Sequence, residues 1–346
     1  MAEPKSKGEA IADSIFELIL ALLGAFFKFV FKLIGRIFSG IFGLLTGKSG
    51  RSAIGRMDPA QLEKSCARAR EQAASGNFAN ADRMLEEIAA ANPQAISPYM
   101  TQAAIHIDRI AGVRDINATL SSLENKDKAR ELVSGWQSGA WKAIAAATKA
   151  SALDRPKAKN LLIASWTCLA TALRALEDWE NCDYAYANLL EAGATTEMAR
   201  LGAVNAAGNM EDMFREQRES GKVFENAEAR AKAILARTAW PTDKQDILKQ
   251  TMILERLKSA RYLLPDNVDV HIAQCEAELK FCEANVPRLA DRSRNISEKA
   301  KDDDIDSIRQ LKQALKEILL KALQVAPGHP RLLACEARFR ELFAPF

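Results

Sequence analysis

The sequence predicts an all-α protein: a solenoid of helix-turn-helix repeats preceded by a long, mostly apolar helix. Three observations lead there. Apolar residues recur at spacings of three and four through most of the chain, and almost nothing alternates with period two. Turn residues and closing prolines punctuate the body at intervals. Residues 11–46 form an apolar run that no proline interrupts. The expected division is a polar tail over 1–10, an apolar helix over 11–46, a linker over 47–61 and a helical-repeat domain over 62–346.

The 346 residues suffice for a large core or two domains. The net charge of +3 is unevenly placed. Residues 1–56 hold eight Lys/Arg against four Asp/Glu, while the remainder holds 40 against 41. A near-neutral body argues against a nucleic-acid partner, because phosphate binding needs concentrated basic surface. The positive excess sits around the apolar run, which suits an anionic membrane surface. Six cysteines are scattered through helical patterns with no C-x-x-C pair, as expected of reduced, buried thiols in a cytosolic compartment. A secretory signal is not expected: the run contains Glu17 and continues well beyond the usual apolar core of about 7–15 residues.

In the apolar helix the polar or small positions are Asp13, Glu17, Ala21, Gly24, Lys28, Lys32, Gly35, Ser39 and Gly43. They repeat every 11 residues, a period of about 3.67 per turn, so the stripe runs nearly straight along a helix about 54 Å long. Arg36 sits beside it. Three environments accept such a helix. It can lie in the membrane interface, although interfacial helices usually carry a broader charged face. It can span alone, but nineteen apolar residues gain only about 6–11 kcal/mol, which three central basic residues nearly cancel at roughly 8–10. It can insert and self-associate, or join another membrane protein, with Lys28, Lys32 and Arg36 turned toward neighbouring helices or water. Gly35, Ser39 and Gly43 form a small-x-x-x-small series that permits close helix approach. A helix docked in a water-soluble assembly is the bland alternative. In the linker, Gly47 suits a helix end, and Lys48, Arg51 and Arg56 favour a cytoplasmic body if the segment spans.

The body opens its first clear unit at residues 76–93, GNFANADRMLEEIAAANP. Gly76-Asn77 breaks a helix, Phe78, Ala81, Leu85 and Ile88 form an apolar face, and Pro93 stops it. Residues 97–160 are helical in pattern and hold Trp136 and Trp141. Residues 163–194 give a second unit: Trp166, Leu169, Ala170 and Leu173 face one way, Asp178-Trp179 is the turn, and Cys182, Tyr186 and Leu189 continue the face. Residues 200–245 are again helical but off the period. Two further closings end at Pro265 and Pro327, each with an alanine, Ala260 or Ala322, five residues earlier.

The order of turn, aromatic, small, large apolar, small and closing proline resembles the tetratricopeptide repeat. Four occurrences carry the resemblance, over about 150 of the 290 body residues. It implies stacked helical hairpins sharing one core, with an extended surface that binds a protein or peptide.

No catalytic constellation is expected. His106, His271 and His329 are the only histidines. His271, Cys275 and Cys282 share a helix face, yet further ligands are lacking, so core packing is expected and no metal. Lys299–Asp306, KAKDDDID, lacks the alternating ligands and glycine of a calcium loop and reads as a solvated loop or helix start. Gly47-Lys48-Ser49 lacks the first glycine of a phosphate loop, since position 42 is Phe. The sequence thus predicts a non-enzymatic, membrane-associated scaffold or adaptor without cofactor. Its repeats lie on the cytoplasmic side, and it forms a homo-oligomer through residues 11–46. Two alternatives stay open: a pore-like oligomer whose lumen the stripe lines, and a soluble structural subunit whose first helix docks into another protein.

Overall fold

The computed structural model describes residues 57–111, 126–243, 246–291 and 297–346. Among these there are twelve α-helices and no strand. The chain divides into two compact units at Glu177/Asp178. The boundary falls inside the 163–194 stretch, so its two helices belong to different units.

The first unit holds α1 (Pro59–Ala74), α2 (Phe78–Ala91), α3 (Ile96–Ala111), α4 (Lys126–Leu153) and α5 (Arg155–Ala175). Sequence signals set their ends. Asp58 accepts a hydrogen bond from the Gln61 N–H at 2.8 Å, with Pro59 opening α1. Gly76 takes φ +86° between α1 and α2, a conformation that costs glycine nothing. Asp154 caps α5 through the Lys157 N–H. Helix α3 packs against α1, α2, α4 and α5. Helix α4 presents Ala140, Ala143, Ala147 and Ala150, all fully buried, at helical spacing. Such a seam lets neighbouring helices approach at the short end of the usual 8–10 Å. Trp136 and Trp166 are buried, and Trp166 meets the half-exposed Trp141 edge-on at 5.9 Å.

The second unit holds α6 (Trp179–Glu191), α7 (Glu197–Glu219), α8 (Ala227–Leu235), α9 (Ile247–Leu263), α10 (Val268–Ala290), α11 (Glu298–Val325) and α12 (Pro330–Leu342). Asp178, Thr196, Asp246, Asn267 and Ser297 cap α6, α7, α9, α10 and α11 with their side chains. The closings read at Pro265 and Pro327 coincide with the ends of α9 and α11. The acidic run at 299–306 forms the first turns of α11, where negative charge complements the helix dipole.

Helix α7 packs against α6 and α9, and α9 also packs against α8 and α10. Met210, Phe214, Phe224, Ile234, Leu263 and Val270 form one core between them, with Trp179 half-buried at its edge. Helices α10, α11 and α12 enclose a second core around Cys275, Leu279, Leu315, Leu319, Leu332 and Phe343. Gly202 on α7 faces Tyr186 on α6; a Cβ there would stand 2.6 Å from the ring. No helix among the described residues is long and apolar enough to cross a membrane.

Candidate functional site

Asp13, Glu17, Gly24, Lys28, Lys32, Gly35, Arg36, Ser39 and Gly43 all lie outside the described residues. His271, Cys275 and Cys282 are buried on α10. The His271 imidazole bonds the Pro265 carbonyl at 2.6 Å, which ties α10 to the turn before it. Burial pushes the Cys275 and Cys282 thiols up to about 12, so neither presents a thiolate. No group of three or more His, Cys, Asp or Glu among the described residues could hold a metal ion.

The described residues do hold three polar clusters that helix periodicity would assign to cores. In the first unit, Asp82 of α2 is buried and meets His106 Nε2 of α3 at 2.8 Å and Lys142 Nζ of α4 at 2.7 Å; Gln102 donates to it at 3.3 Å. Burial alone would raise the Asp82 pKa, but the hydrogen bond from Lys142 and the charge and hydrogen bond of His106 outweigh it, and the pKa falls. Burial lowers the His106 pKa despite Asp82 beside it. This cluster is a cross-brace between three helices.

The second cluster braces α6 against α9. Asp183 is fully buried, and Arg256 is 2 % exposed. Arg256 Nε donates to the two carboxylate oxygens at 2.9 and 3.1 Å, and its Nη2 lies 2.8 Å from Oδ1. Arg237 Nη2 adds a fourth contact at 3.0 Å, while Arg256 Nη1 donates to the Arg237 carbonyl at 2.8 Å. Nearby, the Arg230 guanidinium grips Glu180 at 2.7–3.3 Å and lies over Phe214, 5.0 Å from the ring centre.

The third cluster gathers more carboxylates than the other two. It lies on α7, α9 and α10 and contains Glu211, Glu255, Lys258 and Glu278, flanked by Arg215, Arg261 and Gln274. Glu211 and Glu278 are 7 % and 8 % exposed. Lys258 Nζ donates to Glu255 at 3.0 Å, and Arg215 Nη1 reaches Glu211 at 3.2 Å. Glu278 forms no hydrogen bond to a described residue. Gln274, one turn before it on α10, accepts from Arg261 at 3.1 Å, yet its buried Nε2 donor is unmet.

Burial pushes Glu278 up to about 6; Glu255 adds to the rise, and Lys258 and Arg261 oppose it. Burial likewise raises Glu211, against the pull of Arg215. Burial would lower the Lys258 pKa, but Glu255 together with Glu278 and Glu211 raises it, so the ammonium stays charged. Perturbed carboxylates of this kind are enriched at functional sites.

Sequence reading singled out none of these clusters. The signal was present: Arg256 and Glu278 each occupy a stripe position between buried apolar neighbours one turn away, and Asp183 lies between the half-buried rings of Trp179 and Tyr186. The chain matches no known family model, and no curated protein is significantly similar to it.

Proposed function

We propose that the protein is a helical-repeat scaffold of the tetratricopeptide type. Residues 11–46 attach it to a membrane, and the α7, α9 and α10 face docks a protein partner. The observation that carries the docking half is the polar cluster of Glu211, Glu255, Lys258 and Glu278 on α7, α9 and α10, where Glu278 bonds no described residue and the neighbouring Gln274 Nε2 donor has no partner. What supports the repeat half is local: α1 and α2 form a packed hairpin across Gly76-Asn77, α3 packs on both, and α9 and α11 end at closing prolines. Neighbouring hairpins of this kind bury each other's apolar faces and leave a long side free for binding.

The attachment half is tested by flotation of the full chain with vesicles of phosphatidylcholine and phosphatidylserine. Wild type floats. Phe26→Asp/Leu33→Asp/Ile37→Asp, which charges the side opposite the stripe, leaves the protein in the dense fraction. Gly35→Leu/Ser39→Leu/Gly43→Leu still floats, but its detergent-extracted particle is smaller, because bulky side chains hold the helices apart. A triple aspartate variant that floats like wild type would refute residues 11–46 as the anchor. Crosslinking from a photoreactive residue at Lys258 to a peptide library tests the docking half; labelling no better than from a residue at the exposed Asp306 refutes it.

A further inference from the structure

We infer that the turn between α4 and α5 is a second membrane contact, which rests on the surface of an anionic bilayer. The inference rests on the attachment reading above and names the part of the first unit that meets the lipid. The turn reads Leu153-Asp154-Arg155-Pro156-Lys157-Ala158-Lys159. Leu153 ends α4 with 37 % of its surface exposed, and Arg155, Pro156, Lys157 and Lys159 are exposed at the start of α5. Asp154, the acid among them, is already committed. It accepts from the Lys157 N–H at 3.2 Å and pairs with Lys157 Nζ at 2.7 Å. Arg155 and Lys159 pair with no described residue. An exposed leucine among such cations suits an interface: the apolar group enters the headgroup boundary while the cations meet anionic headgroups.

The place of the turn in the unit points to the same partner. Asp82, His106 and Lys142 meet at one level of α2, α3 and α4. Lys149 lies over the Tyr99 ring at 5.8 Å, and a Cβ at Gly139 would stand 3.9 Å from His106 Nδ1, so α3 and α4 run antiparallel. About ten residues from that level, about 15 Å along each helix, α2 reaches Asn92, α3 starts at Ile96 and α4 ends at Leu153. The Met57 N–H donates to Asn92 Oδ1 at 3.1 Å. The chain therefore enters the unit at the end that carries the α4–α5 turn. Residues 47–56 can span at most about 35 Å, so a bilayer that holds residues 11–46 stands within reach of this end. A nucleic acid would need a longer basic track and would gain nothing from Leu153.

The test puts an environment-sensitive fluorophore on the full chain through Ala152→Cys, beside the turn. Ala74→Cys, at the opposite end of α1, is the comparison; both alanines are exposed. The native cysteines are buried and stay unlabelled. On vesicles of phosphatidylcholine and phosphatidylserine at low salt, the probe at 152 shifts to the blue and the probe at 74 does not. Arg155→Ala/Lys159→Ala lowers the ratio of shifted to unshifted probe about twenty-fivefold, at about fivefold per cation, while the protein floats as before. Arg155→Lys/Lys159→Arg keeps the shift, which separates charge from any change in folding.

Wild type that floats with the probe at 152 still in water overturns the inference and leaves the attachment standing. Wild type that does not float removes the attachment and the inference with it. An undiminished shift in Arg155→Ala/Lys159→Ala also overturns the inference. A shift produced by a double-stranded DNA fragment and not by vesicles would give the turn to nucleic acid instead.

Discussion

Asp183→Asn measures how far the second unit depends on one buried charge cluster. The substitution keeps the shape of the side chain but removes its charge. Two guanidiniums then face each other, Arg256 almost wholly buried and Arg237 largely so, without an anion between them. Removing one partner of a buried pair costs about 3–5 kcal/mol, because the remaining charge is stranded. Asparagine keeps one acceptor oxygen for Arg256 Nε, so a value near the lower end, about 3 kcal/mol, is expected. For a cooperative unit of this size each kcal/mol moves Tm by roughly 2–4 °C, which gives a fall of about 6–12 °C.

The assay is differential scanning calorimetry of the full chain at pH 7. Two comparisons locate the cause. Arg309→Gln removes an exposed pair with Asp306 at 2.8 Å and leaves Tm unchanged, as surface pairs usually do. Asp183→Leu/Arg256→Met replaces the core pair with apolar groups and recovers most of the loss, since buried pairs are seldom better than well-packed hydrocarbon. A Tm change below about 2 °C for Asp183→Asn would refute the reasoning, because the guanidiniums would then have found other partners or water.

Gly202→Ala puts a methyl group 2.6 Å from the Tyr186 ring and lowers Tm, with a cost of about 1–3 kcal/mol; Tyr186→Leu in the same chain restores it, and failure of that rescue would show that the ring is not the obstacle. In the first unit the Asp82–His106 bond predicts acid sensitivity. His106 has a folded pKa below its unfolded value of about 6.5, so its contribution to stability is complete above that value and is lost as pH falls toward the folded pKa. A second proton would sit on Nδ1, which is buried without a partner, and would meet the positive charges of Lys142 and Arg109 with only Asp82 to offset them. Hydrogen exchange of the α3 amides, corrected for intrinsic rates, therefore quickens between pH 7.5 and 5.5 in wild type and not in His106→Gln (a range set by the unperturbed histidine near 6.5); identical pH profiles would disprove the assignment.

The helical class was legible because its signals are local. Gly76-Asn77, the caps Asp58, Asp154 and Asp178, and the closings at Pro93, Pro265 and Pro327 act within one turn of themselves, so each reads the same in the sequence and in the fold. The two cysteines of α10 were legible as buried apolar surface for a similar reason: Cys275 and Cys282 lie on the stripe shared with Leu279 and Val286, and a thiol packs as a small hydrophobe. What periodicity hid were the charges on such stripes. Asp183 sits between Trp179 and Tyr186, Arg256 between Ile253 and Ala260, and Glu278 between Cys275 and Cys282.

A stripe reading treats each of these as an exception on an otherwise apolar face. The pairing of Asp183 with Arg256, 73 residues apart, is decided by α6 and α9 both packing on α7, and no local pattern carries it. The same logic separates the two kinds of buried charge in this chain. Asp183 and Asp82 are matched by donors from other helices, so they brace the fold. Glu278 sits at a similar stripe position on α10 but takes no donor from a described residue; its oxygens are not among the buried unpartnered atoms, and the charges of Lys258 and Arg261 offset part of its burial. It is held by neighbouring charge and not by a brace, so losing its charge costs the fold less than losing that of Asp183, where two guanidiniums would be stranded.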